Sequence, residues 1–377
     1  MQTKRFGLCA ALSAAALLLL AGCAGSGSTA APTLTVKSSY PLQYAKQFTV
    51  DECTGGYELI TIADSQYLVV PQGAAVPEDL PQGTTVLQQP IENIYLVSTS
   101  AMDPIISLGA LDSIALSGTK ADGWYLPEAK AAMQAGQIAY AGKYSAPDYE
   151  TILASGCGLA IENTMIYHTP EVKEQLEKFG IPVLVERSSY ETDPLARMEW
   201  VKLYGILLGK KQEAEQLFDT QVQCVAPLEN QQPTGKTVAF FSITSNNLVT
   251  VRKGSDYVAR MIEMAGGSYV FADLTDSSNN LATINLSLED FYAGAKDADV
   301  LLYNSTIEGS IASTEQLVEK CPLLAQFKAV QNGNVWCTAQ SLFQQSMELP
   351  DLILDMNRVF TEGTPADSEL TFLTHVE

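Results

Sequence analysis

Apolar positions along the chain fall into two rhythms that trade places. From Phe48 to Val70 they alternate around Thr54-Gly55-Gly56 and Asp64-Ser65, the period of short antiparallel strands joined by turns. From Asn93 the rhythm changes. Asn93 to Thr99 is an apolar run ending in hydroxyls, and Met102 to Leu111 has helical spacing. The succession then recurs, with strands expected at Ile114–Leu116, Ile138–Ala141, Leu159–Glu162 and Ile181–Glu186, and helices at Pro147–Ala154 and Pro170–Phe179. Strands that alternate with helices predict a mostly parallel sheet with helices on both faces.

Pro194 to Glu229 is helical in period and interrupted near Gly205 and Gly209. Its second part, from Lys210, predicts a helix of about 30 Å, long enough to bridge two lobes. After Gln231–Gly235 a second α/β series begins: Val238–Ser242, Tyr257–Ala265, Leu288–Ala295, Val300–Tyr303, Gln316–Glu319, Val335–Thr338 and Asp351–Phe360. The two series also echo each other locally. Glu150 to Ile166 and Glu289 to Ile307 both read as a helix opened by glutamate, a small-residue break, a buried strand, then asparagine and a hydroxyl. The predicted fold is therefore α/β: two Rossmann-like lobes with mostly parallel central sheets, joined by one long helix, with a ligand cleft between them. The expected boundaries are 48–193 for the first lobe, 194–232 for the helical segment, 233–362 for the second lobe and 363–377 for a tail. A chain of 377 residues is long enough for two such units.

The first residues follow a different logic. Lys4 and Arg5 precede an apolar stretch, Leu8 to Ala21, that is shorter than the roughly 20 residues needed to span a bilayer, which makes residues 1–22 a secretory signal. The stretch ends in Leu20-Ala21-Gly22-Cys23, similar to the lipobox of bacterial lipoproteins, which implies that Cys23 is acylated and anchors the protein to the membrane. Gly25 to Pro32 is too poor in apolar bulk to fold, so residues 23–47 are expected to form a flexible tether.

Charge and composition narrow the function. The formal net charge is −21, more negative still without the signal, which holds two bases and no acid. Such a body repels nucleic acid, so DNA and RNA are excluded as partners. Apart from Cys9 and Cys23, the cysteines are Cys53, Cys157, Cys224, Cys321 and Cys337, an odd number without a CxxC pair; Cys321 with Cys337 is the one pair worth testing. Only His168 and His375 occur, too few for a multi-histidine metal site, and the ligand is therefore not a bare ion. Catalytic motifs are fragmentary. Ser117-Gly-Thr-Lys120 matches Ser-x-x-Lys, which keeps a surface-anchored serine hydrolase or penicillin-recognising enzyme as the alternative, but neither Ser-Asp-Asn nor Lys-Thr-Gly accompanies it. Thr234 to Thr237 resembles the tail of a P-loop but lacks the first glycine and precedes a strand. No enzymatic activity is expected, and no cofactor.

Asn93-Ile-Tyr-Leu-Val-Ser-Thr-Ser with Leu108-Gly109, Tyr140-Ala-Gly-Lys, Asp148 to Leu153, Tyr257 to Gly267, Leu286-Ser-Leu-Glu and Asn332-Gly-Asn-Val-Trp follow one another in an order that resembles the substrate-binding proteins of ABC importers for ferric siderophores, haem and cobalamin. The family usually has Pro-Asp-Leu-Val where this chain has Gly158 to Ile161, and Asp299-Val300 keeps part of that pattern. The resemblance implies an extracytoplasmic monomer that hands a small molecule to a membrane permease and its ATPase. It also implies that Glu150 and Glu289, one on each lobe, dock into permease arginines, which electrostatic steering would favour.

In open α/β sheets, ligands meet the loops at the carboxyl ends of strands. Such loops here carry Trp124, Tyr125, Tyr144, Met165, Tyr167, Arg187 and Tyr190 in the first lobe and Arg252, Tyr257, Tyr303 and Phe343 in the second. Flat rings and guanidinium groups suit a ferric chelate or a tetrapyrrole with anionic oxygens. His168 is a further candidate, as an iron ligand.

Overall fold

A computed structural model of the protein describes residues 32–277 and 281–377. The first five strands, β1 (Val36–Ser39), β2 (Phe48–Cys53), β3 (Glu58–Ile62), β4 (Ser65–Val70) and β5 (Thr85–Gln88), form a sheet in sequence order, antiparallel except for the β4–β5 pair. Phe48, Val50, Ile60, Ile62, Tyr67 and Val69 join the main core from one face, while Cys53, Leu59, Leu68 and Val70 build a smaller cluster on the other. This sheet corrects two expectations. Residues 48–193 hold two separate five-stranded sheets, the first begun by β1, and the chain from Val36 to Gln47 is part of the folded body, where a tether was expected.

The first α/β lobe follows with β6 (Ile94–Leu96), β7 (Ile114–Ser117), β8 (Ala139–Tyr140), a small ribbon of β9 (Gly142–Lys143) and β10 (Ala146–Pro147), β11 (Ala160–Glu162) and β12 (Val183–Val185). Its central sheet is parallel throughout, in the order β12-β11-β6-β7-β8. The second lobe contains β13 (Thr237–Ile243), β14 (Val249–Arg252), β15 (Ser268–Tyr269), β16 (Thr283–Leu286), β17 (Val300–Tyr303), β18 (Val335–Thr338) and β19 (Leu373–His375). Here β13, β15, β17 and β18 are parallel, and the antiparallel strands β14, β16 and β19 complete the sheet. The supposed tail 363–377 thus contributes a strand. His375 packs on Trp336 at 4.8 Å and its Nε2 lies 2.7 Å from the Gly333 carbonyl oxygen.

Between the lobes, the predicted helical segment is two helices, Pro194–Leu207 and Lys211–Val225, packed against each other. The second is shorter than the expected Lys210–Glu229. The break lies at Gly209, whose φ of +69° suits the residue after a helix. Gly205, by contrast, lies inside the first helix. A Cβ there would sit 2.4 Å from the Cβ of Ala214, so glycine lets the two helices touch. All residues of Pro194–Leu207 are buried, and one continuous core runs from Phe48 through Trp200 to Phe241. Among the described residues no helix is long and apolar enough to cross a membrane. The expected signal peptide and Cys23 lie outside the described residues.

Candidate functional site

Because the first lobe's sheet is parallel and so are β13, β15, β17 and β18 of the second, the exit loops of these strands gather at one edge of each sheet, and in this molecule the edges of the two lobes meet. Part of the meeting is a closed seam. The loop after β18 crosses to the first lobe, where Gln344 Nε2 donates to the Gly123 carbonyl and Gln344 Oε1 accepts from the Tyr125 N–H, both at 2.8 Å. Ser346 Oγ donates to the Ser100 carbonyl at 2.9 Å, and the Met347 N–H donates to Asp103 Oδ2 at 2.7 Å. Asp103 and Glu348 face each other here. Burial, and for Glu348 the neighbouring Asp103, raise both carboxyls above their ordinary range, so the pair holds a proton near neutrality.

Beside the seam the lobes stand apart around a cavity of about 550 Å³. Thr164 and Ser189 to Thr192 line it from the first lobe; Lys253, Ser255, Asp256, Asp276, Ser277, Leu281 and Ala282 line it from the second. Asp256 caps the helix Tyr257–Met264 by accepting from the Val258 N–H and lies 3.7 Å from Arg252. Burial pushes its carboxyl up, while Arg252 and Arg197 pull it back. Arg252 also stacks on Phe343 at 4.6 Å, and Arg187 on Tyr190 at 4.6 Å.

Arg197 was not foreseen. It is buried in the helix Pro194–Leu207 and lies 4.8 Å above the Tyr257 ring, next to Asp256. It makes no ion pair or hydrogen bond among the described residues. Its sequence context gave no signal, since an arginine in a helix reads as a solvated position. In a chain with about twice as many acids as bases, Lys253 lines this cleft beside Glu191, Asp256 and Asp276, and Arg187, Arg252 and Arg197 lie against its lining residues Tyr190 and Asp256.

The remaining expected ligand residues divide by burial. Tyr125, Met165 and Tyr167 are exposed at the strand ends, with His168 beside them at the end of the turn Thr164–His168. Tyr144, Tyr190, Arg187, Arg252 and Phe343 are half-buried. Trp124, Tyr257 and Tyr303 are core residues, which corrects their expected role as ligand contacts. The Trp124 indole donates to Ser117 Oγ at 3.2 Å, Tyr257 supports Arg197 from below, and Tyr303 is an edge-to-face partner of Phe241. Their place in the loops around the cleft suits ligand contact, but each ring turns into the layer beneath. Leu248 and Ile307, beyond the carboxyl ends of β13 and β17, are also exposed in the second lobe. Ser117 is fully buried and its hydroxyl is taken up by Trp124 and by Thr119, which leaves no free nucleophile at the Ser117/Lys120 motif. The five cysteines among the described residues are free, Cys321 and Cys337 included, and those residues form no group of three or more potential metal ligands.

Glu150 and Glu289 occupy equivalent places. Each is exposed in the first turn of a helix, Tyr149–Ala154 or Leu288–Ala295, capped by Asp148 or Ser287. Each helix leads into a central parallel strand, β11 or β17, and so begins at the level of that strand's carboxyl end. The two carboxylates thus stand on the cleft side of their lobes.

A family model for periplasmic binding proteins matches residues 96–341. The chain belongs to that family. The periplasmic haem-binding protein of Vibrio cholerae superposes with a TM-score of 0.57 at 18% identity, covering 73% of this chain and 99% of that one. A protein of the Fe³⁺-hydroxamate transport system of Saccharomonospora viridis gives 0.56 at 22%, covering 72% and 94%. An uncharacterised lipoprotein of Methanocaldococcus jannaschii is 26% identical over 241 residues, 62% of this chain and 55% of its own. The chain spans about half the length of the curated relatives it matches. The two-lobed α/β architecture of this family is the one expected from the strand and helix rhythm.

Proposed function

We propose that the protein is an extracytoplasmic solute-binding protein, lipid-anchored through Cys23, that captures an anionic ferric chelate or tetrapyrrole and delivers it to an ABC permease and its ATPase. The observation that carries this reading is the interlobe cavity: Lys253 lines it, and Arg187, Arg252 and Arg197 stand against its lining residues Tyr190 and Asp256. Arginine matches carboxylate or catecholate oxygens in pairs, and rings cover the flat body of such a ligand. Family membership supports binding over catalysis, and the haem and hydroxamate systems named among the structural neighbours suggest the ligand class.

Thermal unfolding of the chain without its first 23 residues, against ferric hydroxamates and catecholates, haemin, and cobalamins, tests this. A ligand at 100 times its Kd stabilises by about 2.7 kcal/mol, a readily measured shift. Arg197→Ala is expected to weaken the ligand that binds by about tenfold or more, with Arg197→Lys recovering part of the loss. No shift with any member, together with turnover of a lactam or ester control, would replace this reading with an enzymatic one.

Docking makes a separate demand. Replacing Glu150 and Glu289 together by alanine is expected to abolish ligand uptake by cells while leaving the affinity of the purified protein unchanged. Both side chains are exposed at helix starts, where their loss costs only about 0.3–1 kcal/mol each. Weakened ligand binding in the double variant would move them out of the docking role.

A further inference from the structure

The family match begins at residue 96, so the sheet β1–β5 lies outside it. The chain leading into β2 nevertheless reaches the cleft. Glu191, which lines the cavity, accepts from the backbone N–H groups of Lys46 (3.0 Å) and Gln47 (2.9 Å) and from the Trp200 indole (3.1 Å). Gln47 Oε1 in turn accepts from Arg187 Nε at 3.4 Å and Nη2 at 3.3 Å. That fork fixes the guanidinium over Tyr190, another cavity residue, while Nη1 has no hydrogen-bond partner among the described residues.

We propose that the N-terminal sheet is a positioning element of the cleft, acting through Gln47, which aims Arg187 and holds the Arg187–Thr192 wall for an anionic ligand. The chemistry of the acceptor is the reason. A neutral amide orients a guanidinium without neutralising it, whereas a carboxylate at the same distance would consume the charge that a ligand anion needs. Arg187 forms no ion pair among the described residues, although Glu186 and Glu191 are close in sequence, so its charge stays available. The wall itself is a single 3-10 turn, Ser188–Tyr190, with the Tyr190 and Glu191 N–H groups bonded to the carbonyls of Arg187 and Ser188. So short a turn depends on what holds its ends.

This inference rests on the proposed function for the ligand's charge, and the test separates the two. Hydrogen exchange of the ligand-free full chain is measured first: Gln47→Ala is expected to accelerate exchange of the 188–192 amides by about tenfold while the melting temperature stays close to that of the parent. Unchanged exchange there overturns the positioning role, whatever binds. Gln47→Glu supplies the second readout, using haemin and a ferric tricatecholate as anionic probes and cyanocobalamin as an uncharged one. It is expected to keep the turn protected and yet weaken the anionic probes by about tenfold. Equal affinity of parent and Gln47→Glu for an anionic probe overturns the charge argument. If no probe binds the parent, the ligand assignment fails, and the exchange result alone still decides whether Gln47 positions the wall.

Discussion

Replacing Glu162 by glutamine is expected to stabilise the protein at alkaline pH and to flatten its stability profile between pH 5 and 8. Glu162 ends β11 with its side chain fully buried, and neither carboxyl oxygen has a hydrogen-bond partner. Burial alone pushes its pKa up to about 8. The titratable groups that feel it, Tyr95 on β6 and Tyr149 on the adjoining helix, are acids themselves and provide no compensating charge. The sign follows from proton counting. Near pH 4.5 and below, folded and unfolded states both carry the proton and burial adds no pH dependence. Between about pH 4.5 and 8 the folded state retains a proton that the unfolded state releases, so stability falls by about 1.4 kcal/mol per pH unit, to an upper bound of about 4–5 kcal/mol. Above pH 8 the loss is complete. The glutamine amide is also buried without partners, so the net gain at pH 8.5 is expected to be about 2 kcal/mol, with little difference at pH 5. Urea unfolding of both proteins at the two pH values measures it. Parallel profiles would mean that the Glu162 carboxylate is paired when charged.

Much of this architecture is legible in the sequence because it is written as periodicity. Alternating strand and helix patterns located β6, β7, β11, β12, β13, β17 and β18 to within a few residues, since these strands are buried on both faces and read as apolar runs. What was not legible depends on contacts that leave no period. The strands β14, β16 and β19 are three or four residues long and owe their pairing to β13, β14 and β18 in turn. Residues 40–47 contain no strand, and the carboxylates of Glu199, on a distant helix, and of Glu191, just before that helix, hold their backbone. The helix Pro194–Leu207 is the clearest case. Arg197, Glu199 and Lys202 give it a polar face on paper, and that face is buried because its charges are met inside the protein, by Tyr257 and by each other. The same blindness hid Arg197 from the candidate site and overrated Trp124, Tyr257 and Tyr303. Position after a strand says where a residue is, while the direction of its ring is set by the layer below.

Removing the Glu199 side chain is expected to cost about 3–5 kcal/mol and to release the N-terminal sheet from the body. Glu199 is completely buried, and its carboxylate accepts from the N–H groups of Gln43, Tyr44 and Ala45 and from Lys202 Nζ, at 2.8–2.9 Å each. Lys202 is itself only 5% exposed, and Glu199→Ala leaves that ammonium buried and unpaired, the costly way to break an ion pair. Three backbone donors lose their acceptor at the same time. The two effects can be told apart with the double variant Glu199→Ala/Lys202→Met. If the stranded charge dominates, the second substitution restores most of the stability, because an apolar chain of similar length fits beside Phe218 and Tyr40, over which Lys202 now lies. If the backbone donors dominate, the double variant stays unstable, and limited proteolysis cuts between residues 40 and 47 in both variants at a rate the parent does not show. The second outcome is expected. The segment has no strand partners between β1 and β2, and Glu199 with Glu191 supplies five consecutive N–H groups, Gln43 to Gln47, with their acceptors. A protein with native stability after Glu199→Ala would show that the sheet is held by Phe48, Tyr67 and Lys211 instead, through ring packing on Trp200, a bond to the Val183 carbonyl and ion pairs to Glu52 and Glu58.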